Sequence, residues 1–183
     1  MRATRIRTEL LSALALFGVA AALGATDRTV PLPDHGTVTL AAPDAWKMEV
    51  SQPPDRLPPT IRFTQGTGPA FEVLITPIWF ARGATKSFDL RDQVAKAAKN
   101  AETQSVEPSI VVKDFSGASE PGYYFSATDR APKPGEYKYM TQGMIRAGGV
   151  VLTFTVLTND GQAEVVKAAL EMLRTAHHAG GDA

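Results

Sequence analysis

Tyr137-Lys138-Tyr139-Met140-Thr141-Gln142-Gly143-Met144-Ile145-Arg146, then Ala147-Gly148-Gly149, then Val150-Val151-Leu152-Thr153-Phe154-Thr155-Val156-Leu157-Thr158 decides the architecture. Both flanks are rich in β-branched and aromatic residues, and both alternate with period two. Val150, Leu152, Phe154 and Val156 fall on one face of the second flank. Gly148-Gly149 between them supplies two residues that adopt positive φ without strain. The stretch is therefore predicted to be a long antiparallel hairpin, with strands at 137–146 and 150–158 and one apolar face.

Directly after it, Asn159-Asp160-Gly161-Gln162 reads as a turn into a helix, with Asn159 and Gln162 at capping-box spacing. Val165, Val166, Ala169, Leu170, Met172 and Leu173 give that helix a wide apolar face, suited to lying on a sheet. Past Thr175 the sequence turns small and polar, and 177–183 is expected to be a flexible tail.

Upstream the pattern is again mostly strand. Short strands are predicted at 37–40, 46–50, 61–64 and 71–76, with Pro77 ending the last, and further strands at 110–115 and 122–128. Pro53, Pro54, Pro58 and Pro59 exclude their segment from a sheet interior, because each lacks a ladder donor. One further helix is expected after Ser87, taken as N-cap, with Asp89 in its first turn. Leu90, Val94, Ala97 and Ala101 form its stripe. Residues 26–36, marked by Pro31 and Pro33, read as an irregular entry segment. The expected fold class is α+β, a mainly antiparallel sheet flanked by two helices, in one domain over 37–176.

The first 25 residues follow another logic. Arg2, Arg5 and Arg7 precede an apolar run from Leu10 to Leu23, and small residues Gly24 and Ala25 follow. This is the order of a secretory signal peptide, cleaved near Gly24 or Ala25. The run is shorter than the roughly 20 residues that span a bilayer. The expectation is a mature protein without a permanent membrane anchor, periplasmic or secreted. Cysteine is absent from the sequence, which rules out lipid attachment at a cleavage-point cysteine and any thiolate chemistry.

Charge excludes another class. The chain holds 19 basic and 19 acidic residues, and loss of the signal removes three arginines and one glutamate. The slightly acidic remainder has no basic run, so nucleic acid is not expected as a partner. Chemistry is equally sparse. The three histidines are His35 in the entry segment and His177 and His178 in the tail. Adjacent histidines diverge by about 100° on a helix and form no preformed chelate. No Gly-x-Ser-x-Gly occurs, and Ser116-Gly117 and Ser119 read as a flexible turn. Gly66-Thr67-Gly68 has no Gly-Lys-Ser/Thr behind it. No catalytic residue, metal ligand or cofactor is assigned. The aromatics are open to two readings, cross-strand packing or a binding face. Tyr124, Tyr139 and Trp79 are the candidates for a contact face.

The order of these elements resembles the PsbP/Mog-type α/β/α sandwich, including its small secreted bacterial members. Thr37-Val38-Thr39-Leu40-Ala41-Ala42-Pro43-Asp44-Ala45-Trp46 is similar to the opening of that group. Gly122-Tyr123-Tyr124-Phe125 with the following hairpin is similar to its middle strands, and Val151–Val156 with the helix ending in Leu173-Arg174 to its close. The likeness covers about 37–175. It implies the sandwich and no functional residue, since one fold hosts many functions. The function expected from the whole is a non-enzymatic periplasmic binding or accessory module, acting through surface contacts with an envelope partner or a small ligand. The alternative is a small envelope enzyme, or a carrier of apolar ligands with an internal pocket.

Overall fold

The computed structural model describes residues 24–55, 57–80, 88–116 and 121–180. The expected signal therefore lies outside the described residues up to position 23, as do Ser87 and the turn at 117–120. The chain order is β1 (Ala25–Pro31), β2 (Thr37–Pro43), β3 (Trp46–Ser51), β4 (Thr60–Gln65), β5 (Glu72–Ile78), α1 (Leu90–Ala101), β6 (Lys113–Ser116), β7 (Pro121–Thr128), β8 (Tyr139–Ala147), β9 (Val150–Thr158), α2 (Ala163–Arg174) and β10 (His177–Ala179). Seven strands form one sheet in the order β3-β4-β5-β9-β8-β7-β6, and β1-β2-β10 form a second. All the ladders are antiparallel. This is the α+β class expected.

The hairpin of β8 and β9 lies at the centre. β8 pairs with β9 from Tyr139↔Thr158 to Ala147↔Val150. Only Gly148 of the two turn glycines has positive φ, at 56°. Val150, Leu152, Phe154 and Val156 are buried on one face, as their alternation demands. They meet Ile61, Phe63, Val73 and Ile75 of β4 and β5, Val38 and Leu40 of β2, and Ala169, Met172 and Leu173 of α2 in one core. The three-stranded sheet and α2 thus share one face of the large sheet. On the opposite face α1 lays Val94 and Ala98 against Phe125 and Ala127 of β7, with Met140 and Met144 of β8 beside them.

Several local expectations change. Residues 26–36 are not an irregular entry. Ala25–Pro31 pairs along the whole of β2, and Val30 and Leu32 are buried. Thr26 donates to Asp44 at 2.5 Å, and the Thr29 and Thr39 hydroxyls stand 3.1 Å apart across the ladder. Only the Leu32–Gly36 turn breaks the strand pair, with Asp34 and Gly36 at positive φ. Nor is the start of 177–183 a loose tail. His177–Ala179 pairs with Thr37–Thr39, and the Thr37 hydroxyl donates to the Ala179 carbonyl at 3.3 Å. Pro77 does not end β5, because Pro77 pairs with Leu152 and Ile78 with Val151. The paired register of β4 stops at Ile61↔Ile75, so among the described residues β5 has one ladder neighbour there and is locally an edge, where proline is tolerated.

Helix starts are corrected as well. Asp89, not Ser87, caps α1: its carboxylate accepts the Asp92 amide at 3.0 Å while its own backbone stays extended. At α2 only half of the expected capping box forms. Gln162 Oε1 accepts the Asn159 amide at 2.7 Å, while Asn159 Oδ1 accepts from the Lys138 amide at 3.1 Å instead of capping. The strand expected at 110–115 starts at Lys113.

The chain after α1 is held by a carboxylate. Glu107 accepts from the Ser105 hydroxyl, from the Thr128 amide at 2.9 Å and from the Thr128 hydroxyl at 2.7 Å. Arg130 donates twice to the Ser105 carbonyl, at 2.6 and 3.2 Å. Partial burial opposes ionisation of Glu107, but these hydrogen bonds outweigh it and hold the carboxyl down at about 2, against 4.5 for an ordinary glutamate. A carboxyl depressed in the folded state stabilises above the unfolded value, and that contribution fades as pH falls from about 4.5 to about 2. Glu107→Gln is expected to lose about 1 kcal/mol at pH 7, after allowance for solvent screening. The loss should shrink toward zero by about pH 2. Urea unfolding at several pH values checks it, and a loss that does not change with pH excludes the carboxylate as its source.

Candidate binding groove

α1 packs on β7 and β8. Past its edge, the same face of β9, β5 and β4 carries polar side chains. The register builds this face in rows. Thr76 of β5 pairs with Thr153 of β9, which pairs with Met144 of β8, and Thr60 of β4 flanks Thr76. In the next row Arg62, Leu74, Thr155 and Gln142 follow one another. Toward β7 both rows turn apolar, ending in Tyr123 and Phe125. The sequence makes this division strand by strand. β8 presents methionines where the helix sits, and β9 alternates core residues with Thr153 and Thr155.

Between the helix edge and these rows lies a groove of about 320 Å³. Its floor on the sheet is Thr60, Thr76, Thr153, Thr155 and Gln142 with Leu74 and Met144 among them, and Val94 and Ala97 of α1 form its wall. The floor is internally ordered. The Thr153 hydroxyl donates to the Thr76 carbonyl at 3.1 Å, Gln142 Nε2 donates to Thr155 Oγ1 at 3.4 Å, and the Thr60 and Thr76 hydroxyls are 3.4 Å apart. A hydroxyl that donates inward keeps lone pairs to offer a ligand. No titratable side chain lines the groove among the described residues. Charge begins just beyond it, where Arg62 donates to Glu72 and lies 3.2 Å from Glu49.

The three aromatics expected on a contact face are not brought together. Tyr124 lies at mid-strand opposite Gly143, its ring edge-on to Phe115 at 5.5 Å. Trp79 follows β5 near the β8–β9 turn and stacks on the His35 ring at 4.3 Å. Tyr139 sits at the other end of β8, opposite Thr158, and donates to Asp160 at 2.6 Å. Trp79 and Tyr139 are thus near opposite ends of β9, a strand of nine residues, on the order of 25 Å apart along the sheet. All three rings are half-buried.

His35 and His178 do meet. His178 Nε2 lies 2.8 Å from the His35 carbonyl, and the Gly149 amide donates to His178 Nδ1 at 3.3 Å. The ring therefore ties β10 both to the β1–β2 turn and to the β8–β9 turn. Among the described residues no three His, Cys, Asp or Glu side chains are placed to hold a metal ion. The other strongly polar group, Lys138 and Tyr139 on Asp160, is an exposed ion pair with the Tyr139 hydroxyl added. The hydrogen bonds from Tyr139 and then Lys138 hold the Asp160 carboxyl below its usual value.

The groove residues escaped the sequence reading. A signal was present in the threonines alternating on β9, but alternation alone reads as an ordinary solvent face. The groove arises only because a helix covers half of that face.

A seven-stranded antiparallel sheet with one helix on each face, and a small sheet sharing the side of the last helix, defines the PsbP-type α/β/α sandwich. Among solved structures the chain is similar to the solution structure of cyanobacterial PsbP (CyanoP) from Synechocystis sp. PCC 6803. The TM-score is 0.50 and the identity 12%, over 91% of this chain and 99% of that one. The likeness is one of fold. No protein-family model matches the sequence, and no curated protein does. No helix among the described residues is long and apolar enough to cross a membrane.

Proposed function

We propose that this protein is an exported, non-enzymatic binding module of the cell envelope, and that the groove beside α1 receives an uncharged polar group of an envelope partner or small ligand. The observation that carries the reading is the half-covered sheet face. A helix lies over its apolar half, and the threonine and glutamine half stays open beside an apolar wall. Ligand sites of this kind combine apolar lining with a few converging polar groups. Hydroxyls and an amide, with no charged side chain in the lining itself, suit neutral hydrogen-bonding partners. General acid–base catalysis, in contrast, needs a titratable group within reach of the reacting proton. The positive, apolar, small-residue order of positions 1–25 supports export, and the PsbP-type fold is compatible with an accessory role.

The test is recovery of the tagged chain from envelope extracts with crosslinking and mass spectrometry, reading the N-terminal residue on the same sample. Thr153→Arg, which places a charged side chain across the groove floor, is expected to cut recovery of the bound partner or ligand about tenfold, the effect of losing roughly 1.4 kcal/mol of binding. Lys167→Ala, at an exposed side chain of α2 on the opposite sheet face, is the control. A mature N-terminus near Ala25–Asp27 is expected in the soluble envelope fraction. Undiminished recovery by folded Thr153→Arg removes the groove from the proposal, and an intact Met1 in the membrane fraction removes export.

A further inference from the structure

The large sheet ends on one side at β3. Trp46–Ser51 carries no proline, glycine or bulge, and all six residues pair with β4 from Trp46↔Gln65 to Ser51↔Thr60. β3 is the terminal strand of the sheet order, so its other edge has no ladder partner among the described residues. Natural sheets blunt such edges, because a row of free N–H and C=O groups invites another strand. The remaining edges are less open. β6 has four residues, β10 three, and β1 ends in Pro31 and turns Arg28 toward the side of buried Val30.

The side chains of β3 show what would pair with it. Lys47, Glu49 and Ser51 share one face, and Trp46, Met48 and Val50 the other. Val50 is 44% exposed and the Glu49 side chain 67%. Lys47 makes no ion pair among the described residues, while Glu49 reaches only Arg62, at 3.2 Å. Opposed residues in an antiparallel pair point to the same face, so two copies of β3 related by a two-fold axis through the sheet must cross at a residue that faces itself. Crossing at Lys47 sets lysine against lysine, and crossing at Glu49 sets glutamate against glutamate. Crossing at Met48 sets Lys47 against Glu49 of the second copy, twice, and Trp46 against its Val50 on the other face. Opposite charges directly across a ladder stabilise it and like charges oppose it.

We propose that β3 is a self-association edge: two copies join antiparallel, centred on Met48, extending the sheet to fourteen strands. This goes beyond the groove and does not depend on it, since the groove lies on the sheet face and the joint on its edge. Six-residue strands make a small interface, so the dimer is weak and concentration-dependent.

Sedimentation velocity of the purified protein from about 5 to 500 µM tests it, a range that brackets a weak dissociation constant. A reversible monomer–dimer equilibrium is expected. Lys47→Glu alone and Glu49→Lys alone should each raise the dissociation constant about tenfold, since each turns two attractive pairs into two repulsive ones. The double variant should return to within about threefold of the original. The sequence has no cysteine, so Met48→Cys should form an oxidised dimer readily while Ser51→Cys does not. This second measurement stands even where a charge variant folds poorly. A wild-type protein that stays monomeric throughout overturns the proposal. So does a dimer indifferent to both single swaps, a double variant without restoration, or crosslinking at Ser51 in preference to Met48.

Discussion

Phe154→Ala is expected to destabilise the protein by about 3–5 kcal/mol, the cost of truncating a fully packed phenylalanine. Phe154 sits in the middle of β9, between Ile75 of β5 and Gly143 of β8, and is 2% exposed. Its ring stands edge-on to Phe115 at 5.5 Å, and that ring is edge-on to Tyr124 in turn. The surroundings are strands of one sheet on one side and the β2–α2 layer on the other, which cannot close over a cavity without breaking ladder bonds. Both transfer free energy and cavity cost are therefore paid in full. Denaturant unfolding followed by circular dichroism gives the number. A loss below about 1 kcal/mol, with an unchanged m-value, contradicts the packing described.

Gly143→Ala should cost about 3 kcal/mol, the upper range for overpacking, although it adds a single methyl group. A Cβ built at Gly143 runs into the Tyr123 carbonyl, and into Phe154 Cζ and Tyr124 Cβ, each at 2.7 Å. A carbonyl oxygen and a Cβ are fixed by the backbone of β7, so β7 and β8 must part for the methyl to fit. The ring of Phe154 lies against the only spot in β8 that has no side chain. The two substitutions are neighbours, and their costs should not add. Phe154→Ala removes one of three clashes in the Gly143→Ala background and leaves the two backbone-anchored ones, so it should not rescue that variant. Rescue to the stability of Phe154→Ala alone would show that the ring is the sole obstacle.

Both residues belong to the hairpin whose sequence set the fold class. Alternation over 150–158 identified the buried face because burial on a strand obeys a period fixed by backbone geometry. The apolar stripe of Leu90 and Val94 and the broad face of α2 were legible for the same reason. Caps were less so. Ser87 and Asp89 are both good caps by residue type, and only the backbone geometry selects Asp89. Pro77 read as a stop because proline is barred from central strands, and only the earlier end of β4 makes its position a tolerated edge.

The periodic elements, their order and the hairpin that organises them are legible in the sequence, since each is written within a window of ten to twenty residues. Which distant segments pair is set only when the chain closes on itself. Asp27, Pro31, His177 and His178 have no strand signature of their own. They become strand because β2 offers Thr37–Thr39 on one edge and its full length on the other. The groove has the same origin. Thr76 and Thr153 stand far apart in the chain and become neighbours through the β5–β9 register, and they stay open because α1 comes to rest on the apolar half of the face. Local patterns record how a residue sits on its own element, whereas a site requires knowing what lies across from it, and that is fixed only when the long-range ladders close.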